Sequence, residues 1–494
     1  MLLKRNSPVD MQGSDFKQTG YQLIDQIADF IDNICRKPVT TNASSTQLSD
    51  IIGLHSLPEY GKTAQEIVTR ASGLLFNYSL LNGHPKFLGY ITSSAAPVGA
   101  LADLLAAAVN PNVGACILSP VATAIEKQVV KWLAEFIAVP ACFDGILVSG
   151  GNMANFTAFF AAINAKIPER KKEGISGAVK KPVIYCCRTT HTWIEKAASL
   201  SGLGTDSIRW IPADSANRID VVLLEETIKE DKKSNLRPIM VIGTAGDVST
   251  GAVDDLRAIA AICKRYDCWF HVDGAYGIPA AVIPEQRGLF EGVADADSIA
   301  LDPHKWLYAP LEAGCTLVKD PNHLIQTYSS HPVYFNFNND AEPEARNFYE
   351  YGFQNSRGFK ALKVWMLLQQ AGRQGYIEMI STDIRLAGLL FQLASQHEEL
   401  QAVSQNLSIT TLRYCPPGYP EVDLNNLNEL LLNDLQRNGE VFLSNAVIGD
   451  KYCLRACIVN FRTSEKDIEE IVEIIVRSGR KVTEFIKSKS IDPN

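Results

Sequence analysis

Paired-cysteine motifs, a basic charge excess and a membrane-length apolar run are all missing from this sequence. Its eleven cysteines include no C-x-x-C pair, so neither a zinc ribbon nor a thioredoxin-like redox pair can begin here. No metal is expected. Lys plus Arg number 47 against 55 for Asp plus Glu, a net charge of −8. That balance argues against a nucleic-acid partner, which needs a clustered basic surface, and against docking on anionic lipid. The most apolar window, Ala95 to Val109, carries Asp103 and falls short of the ~20 clean residues that a membrane span requires. The first ten residues, MLLKRNSPVD, lack the apolar centre of a secretory signal. Reduced, packed thiols and a cytoplasmic location are therefore expected. Low-complexity sequence is absent too, and 46% apolar content over 494 residues gives ample material for more than one core.

What is present changes in texture along the chain. Tyr21 to Ile34 places Leu23, Ile24, Ile27, Ile31 and Ile34 near helical spacing, and Lys37-Pro38 ends the pattern. Residues 1–85 read as a helical arm with an apolar face suited to an interface. From residue 86 to 375, short apolar runs alternate with helical patterns. Candidate strands are Ile146 to Val148, Val183 to Tyr185, Ile239 to Ile242, Trp269 to Val272, Ser298 to Leu301 and Thr316 to Val318. Helices are expected over Val121 to Ala138 and Asp254 to Tyr266. Such alternation predicts an α/β domain with a mainly parallel sheet covered on both faces. Residues 376–494 have a different rhythm. A strand is expected near Leu407 to Tyr414, a helix over Leu424 to Arg437, and a hairpin about Gly449-Asp450. Ser464 would then cap a last helix. This is a small α+β domain.

Four segments sit just past expected strands, where a parallel sheet places its ligands. Val148-Ser149-Gly150-Gly151-Asn152 runs from strand through two glycines into a helix, leaving backbone N–H groups free for a phosphate. It lacks the spacing of a P-loop. Arg188-Thr189-Thr190-His191 follows the next strand, and His191 could stack on a ring or move protons. Trp269 to Asp273 is an apolar strand ending in a carboxylate, which in a partly dry place needs a cationic partner. Ser298 to Leu301 leads into Asp302-Pro303-His304-Lys305, where a crowded lysine becomes a nucleophile. Taken together, a phosphate cup, a stacking group, an acid for a ring nitrogen and a lysine describe a pyridoxal phosphate site.

His271-Val272-Asp273-Gly274-Ala275-Tyr276 followed by Asp302-Pro303-His304-Lys305-Trp306 resembles the group II pyridoxal-phosphate-dependent amino-acid decarboxylases, among them the tyrosine and tryptophan decarboxylases. The likeness runs from about His84-Pro85-Lys86-Phe87 to Arg357-Gly358-Phe359-Lys360-Ala361-Leu362-Lys363-Val364-Trp365 and more loosely to both ends. It implies pyridoxal 5'-phosphate, fold type I (aspartate-aminotransferase-like), and conversion of an L-amino acid, aromatic by preference, to its amine and CO2. By the same resemblance Lys305 is the Schiff-base lysine, Asp273 the pyridinium partner and His191 the residue stacked on the ring. Gly150, Gly151 and Asn152 form the phosphate turn, and His304 adds a phosphate contact. Ala275 lies under the ring, Thr244 near it, and Tyr334 is the catalytic tyrosine of a closing loop. The likeness also implies a homodimer with the active site at its interface.

Two features depart from the pattern. Asp302 stands where the aromatic enzymes carry an asparagine near the phosphate; a carboxylate there must turn away, be protonated or be paired. Asn112-Val113-Gly114-Ala115 lacks the large apolar side chains those enzymes send into the neighbouring site, which leaves acidic or diamino substrates open. An aldehyde synthase, which shares the whole cofactor site, an aminotransferase and a catalytically silent relative are the remaining alternatives.

Overall fold

A computed structural model describes residues 7–53, 56–175, 178–330 and 346–491. Helices α1 (Gly13–Asn33), α2 (Ser45–Ile52) and α3 (Ala64–Tyr78) come first. Capping boxes start α2 at Ser44 with Gln47 and α3 at Thr63 with Glu66. Phe30 stacks on Phe76 at 4.7 Å, tying α1 to α3. No residue of α1 is fully buried, and Phe16 and Tyr21 face solvent. The apolar stripe seen in the sequence is thus only half covered by its own chain.

After α4 (Pro97–Val109) and α5 (Pro120–Phe136), strands and helices alternate as expected. They run β1 (Asp144–Val148), α6 (Gly151–Lys166), α7 (Arg170–Glu173), β2 (Pro182–Cys187), α8 (Trp193–Leu200), β3 (Ile208–Ile211), α9 (Val221–Lys233), β4 (Arg237–Thr244), α10 (Leu256–Tyr266), β5 (Trp269–Asp273), β6 (Ser298–Leu301) and β7 (Gly314–Val318). They build a seven-stranded sheet in the order β1-β7-β6-β5-β4-β2-β3. Its pairings are parallel except those of β7, which runs antiparallel to both β1 and β6. Period-two alternation sorts the side chains onto two cores. Val183, Tyr185, Val241, Phe270 and Val272 join one, with α5, α9 and α10. Ile184, Cys186, Met240, Ile242 and Trp269 join the other, with α6 and α8. Burial of each such aliphatic side chain stabilises the fold by roughly 1.5–3 kcal/mol, and it is why these strands read as unbroken apolar runs. Every strand expected in this region is present. The unexpected β3 is a four-residue edge strand whose Arg209 and Trp210 are only half buried, so it carries little apolar signal.

The chain continues through α11 (Asn322–Tyr328) and the long α12 (Ala361–Gln396), whose one non-helical residue is Gly372, at φ 61°. Next come β8 (Leu400–Asn406), β9 (Ile409–Tyr414), α13 (Leu424–Asn438), β10 (Ser444–Ile448), β11 (Lys451–Cys457) and α14 (Glu465–Ile491). The four strands form an antiparallel sheet, β10-β11-β9-β8, over a separate core containing Leu427, Leu431, Leu435, Ile468, Ile471 and Ile475. Gly449 turns the expected hairpin at φ 62°, and Ser464 Oγ accepts from Asp467 N at 3.3 Å to cap α14. Leu88 sits in this smaller core, donating to the Phe442 carbonyl and accepting from Cys457 N, each at 2.9 Å.

Candidate active site

Because β1, β2, β4, β5 and β6 all run in one direction, their carboxyl ends deliver their loops to one edge of the sheet. A cavity of about 340 Å³ opens there. Its lining includes Gly150, Gly151 and Asn152 after β1, His191 after β2, and Thr244 at the end of β4. Asp273 and Ala275 come from the end of β5, and His304 and Lys305 from the loop after β6. All the cofactor residues named from the sequence therefore meet in one place. Tyr334 lies in residues 331–345, outside the described residues. Asn112 to Ala115 packs elsewhere. Val113 N donates to the Arg357 carbonyl at 2.9 Å, and a Cβ on Gly114 would stand 2.2 Å from the Asn355 carbonyl oxygen. None of these four lines the cavity.

Asp273 is buried and held from two sides. Trp193 Nε1 donates to Oδ2 at 2.7 Å, and Ala275 N donates to Oδ1 at 3.2 Å. An ionised carboxylate offers about four lone-pair sites, so room remains for one more N–H from a ligand ring. Behind it His271 is fully buried, with Nδ1 2.8 Å from Ser298 Oγ and Nε2 2.7 Å from Asn155 Oδ1. Burial pushes its imidazole down to about 4, against the pull of Asp273. It is therefore neutral at physiological pH. Asn155 Oδ1 can only accept, so His271 Nε2–H donates to it and the neutral ring takes the Ser298 hydroxyl proton at Nδ1, while Trp269 Nε1 donates to the same hydroxyl oxygen. Asn155 in turn donates to the Gly151 carbonyl at 3.0 Å. One hydrogen-bonded chain thus links the strand that carries the acid to the helix that starts the phosphate turn.

That turn is Gly150, at φ 81°, followed by the first residues of α6, whose free N–H groups and dipole suit an anion. On the lysine loop, His304 Nδ1 donates to the Ala313 carbonyl at 2.7 Å, and burial holds the imidazole below its ordinary value. His191 still reaches solvent across the cavity, and partial burial lowers its imidazole as well. Lys305 Nζ lies 3.0 Å from the Oδ2 of the fully buried Asp302. Next door, Trp306 Nε1 and Tyr308 OH both donate to Asp383 Oδ2 of α12, at 2.8 and 2.6 Å, anchoring the loop from below.

No role is expected from the sequence for Trp193, Asn155, Ser298 or Asp383. Trp193 follows His191 by two residues at the start of α8, and its position there was the one available signal. Its contact with Asp273 spans 80 residues and exists only in the fold. Asp383 lies in the middle of a long helix with nothing nearby in sequence to mark it.

The donor set fits pyridoxal phosphate. An amine, a ring-nitrogen acceptor and an anion turn converge, and the buried Thr244 Oγ1 has no protein partner among the described residues. A parallel sheet gathering these groups at its carboxyl edge defines a pyridoxal-phosphate enzyme of fold type I. Residues 54–412 match the family profile described as the pyridoxal-dependent decarboxylase conserved domain. The chain belongs to that family and is a pyridoxal-phosphate-dependent amino-acid decarboxylase. It is 31% identical over 477 residues to the aromatic-L-amino-acid decarboxylase of Bacillus atrophaeus, covering 96% of this chain and 98% of the relative. It is 26% identical over 473 residues to a phenylacetaldehyde synthase of a Rosa hybrid cultivar, covering 93% of both chains. A crystal structure of Oryza sativa TDC with PLP and tryptamine superposes with a TM-score of 0.90 at 24% identity, covering 97% of this chain and 99% of that one.

Proposed function

We propose that the protein converts an aromatic L-amino acid to the corresponding amine and CO2, taking up one proton at Cα per turnover, as a cytoplasmic homodimer. The observation that carries the reading is the convergence of Lys305, Asp273 and His191 on one cavity, from the carboxyl ends of three separate strands or just beyond them. The aromatic preference is supported by the names of the relatives. The dimer is supported by exposed apolar side chains on α4, namely Leu101, Leu104, Leu105 and Val109. Eleven free cysteines accord with a reducing compartment. We divide the chain into an arm (1–85), a cofactor domain (86–375) and a small domain (376–494).

Pyridoxal phosphate, when bound, supplies the electron sink for the pair left by the departing carboxylate. Lys305 would hold the cofactor through its amine. Asp273, oriented by Trp193 and the Ala275 amide, would keep a proton on the ring nitrogen. His191, whose imidazole partial burial lowers, would cover the ring. Gly150, Gly151, Asn152 and His304 would seat the phosphate, while Ala275 and Thr244 would border the ring. Tyr334 delivers the proton to Cα.

Incubation with tyrosine, tryptophan and phenylalanine, then with acidic and diamino acids, tests the substrate by identifying released amines. Ammonia and peroxide in place of amine would instead make the protein an aldehyde synthase. Lys305→Ala should abolish both turnover and the visible cofactor band; turnover with an unchanged band would overturn the assignment. A colourless, silent wild type would leave only a binding role.

A further inference from the structure

A second cavity, of about 450 Å³, adjoins the catalytic one and takes no part in the chemistry above. His304 and Leu311 stand in the walls of both. The rest of its lining is chiefly apolar, with Ile27 and Ile31 from α1, Phe76 from α3, Pro97 from α4 and Pro310 beyond the lysine loop. A space of this size holds a small organic ligand. Arg462 enters it from the loop between β11 and α14. The guanidinium lies over the Phe461 ring at 4.6 Å and makes no hydrogen bond or ion pair with any described residue. Only the Arg462 backbone N–H is engaged, donating to Asn460 Oδ1 at 3.0 Å. Partial burial lowers the guanidinium from its ordinary value with no acid to oppose the effect, yet it stays a cation at physiological pH. Gly83 keeps the approach to Nη1 open, since a Cβ there would stand 3.2 Å from it. Thr92 Oγ1, on the same lining, is buried without a hydrogen-bond partner among the described residues.

The described lining contains no Asp or Glu, and burial holds the His304 imidazole below its ordinary value. A half-buried fork of N–H donors and an orphaned hydroxyl, set in apolar walls, is complementary to a carboxylate carried on an apolar body. An amino acid would bring an ammonium group with no acid to receive it. The amine product would bring a cation up to a cation. We propose that this cavity binds a small apolar monocarboxylate, aryl or alkyl, with its carboxylate on Arg462 and Thr92 and its body between α1, α3 and the residues that follow the lysine loop. The occupant would touch His304 and Leu311, which also face the cofactor cavity. The inference goes beyond decarboxylation and does not depend on which amino acid is the substrate.

The test is calorimetric titration of the cofactor-loaded protein with 3-phenylpropionate and with octanoate, each beside its uncharged amide. At least one acid should bind about tenfold or more tightly than its amide, and the tighter acid names the body that the walls prefer. Arg462→Gln should bring that acid down to the level of its amide and leave the amide's own affinity unchanged. Its kcat without added acid should match wild type, because Arg462 does not line the catalytic cavity. Arg462→Lys, which keeps the charge but not the fork, should fall between the two. Thr92→Val should weaken the acid more than the amide. Equal affinities of acid and amide for wild type, or binding of neither, would overturn the inference without any variant. An acid that binds Arg462→Gln as tightly as wild type would overturn it too, since that acid then sits elsewhere on the protein.

Discussion

Replacing Trp193 with phenylalanine removes one N–H from the back of the acid and little else. The indole is fully buried, and its ring packs edge-on to Phe159 and His271 at 6.1 and 5.8 Å, contacts a phenyl ring partly keeps. What disappears is the 2.7 Å donation to Asp273 Oδ2. A hydrogen bond to a charged, buried acceptor is worth about 1.5–3 kcal/mol. Because Asp273 is only 6% exposed, water is poorly placed to replace the donor. That energy holds the carboxylate in place, and a carboxylate so placed is what would retain the ring proton. At 1.36 kcal/mol per tenfold, the decarboxylation rate constant should drop roughly 10- to 100-fold in Trp193→Phe. KM should change little, because the indole does not line the cavity. Steady-state kinetics on cofactor-saturated enzyme gives the split. Phe159→Leu, which disturbs the same packing but leaves the N–H, is the control and should lose stability more than rate. A kcat for Trp193→Phe within about threefold of wild type would refute the reasoning.

Other outcomes follow from buried pairs. Arg357→Met should lower stability by about 3–5 kcal/mol in urea titration, since it strands the fully buried Glu126 and the carbonyls of Val113 and Leu147. Adding Glu126→Gln should restore part of the loss, and no recovery would show that the pair is not coupled. Burial lifts the Asp383 carboxyl from its ordinary 3.8 to about 7. The native state therefore keeps a proton that the unfolded chain has released, and stability falls as pH rises through that window. The stability of Asp383→Asn relative to wild type should accordingly climb from pH 4 to 7 and level off above; a pH-independent difference would contradict this. Gly151→Ala drives a methyl into Asp302, so cofactor affinity should fall at least tenfold by titration of the visible band.

The sites of chemistry were legible because apolar strands stop abruptly at polar clusters. β5 ends on Asp273, and β6 runs straight into Asp302 and Lys305. The helix α5 shows where such reading fails. Its expected span opens on the apolar Val121, which is 71% exposed, whereas the fully buried Glu126 has no place in a hydrophobic pattern. Glu126 can be buried because Arg357, 231 residues away, meets it in the fold. The antiparallel course of β7 was equally hidden, since Gly314–Val318 is as apolar as its parallel neighbours and nothing in composition records direction. β8, in the small domain, is mostly half-buried and polar, and it carries no alternation strong enough to mark it.

That reversed strand has a bearing on biosynthesis. β1, which leads into the phosphate turn, has β7 as its only neighbour in the sheet among the described residues, and Gly314 at the start of β7 packs directly against Gly150. A chain emerging from the ribosome makes the cup early, yet β1 gains its neighbour in the sheet only when β7 has followed the lysine loop out. Nascent chains halted before residue 314 should therefore fail to retain cofactor, even with the glycine turn, His191 and Asp273 already exposed. On that expectation loading would come late in the life of the polypeptide, after the arrival of one strand.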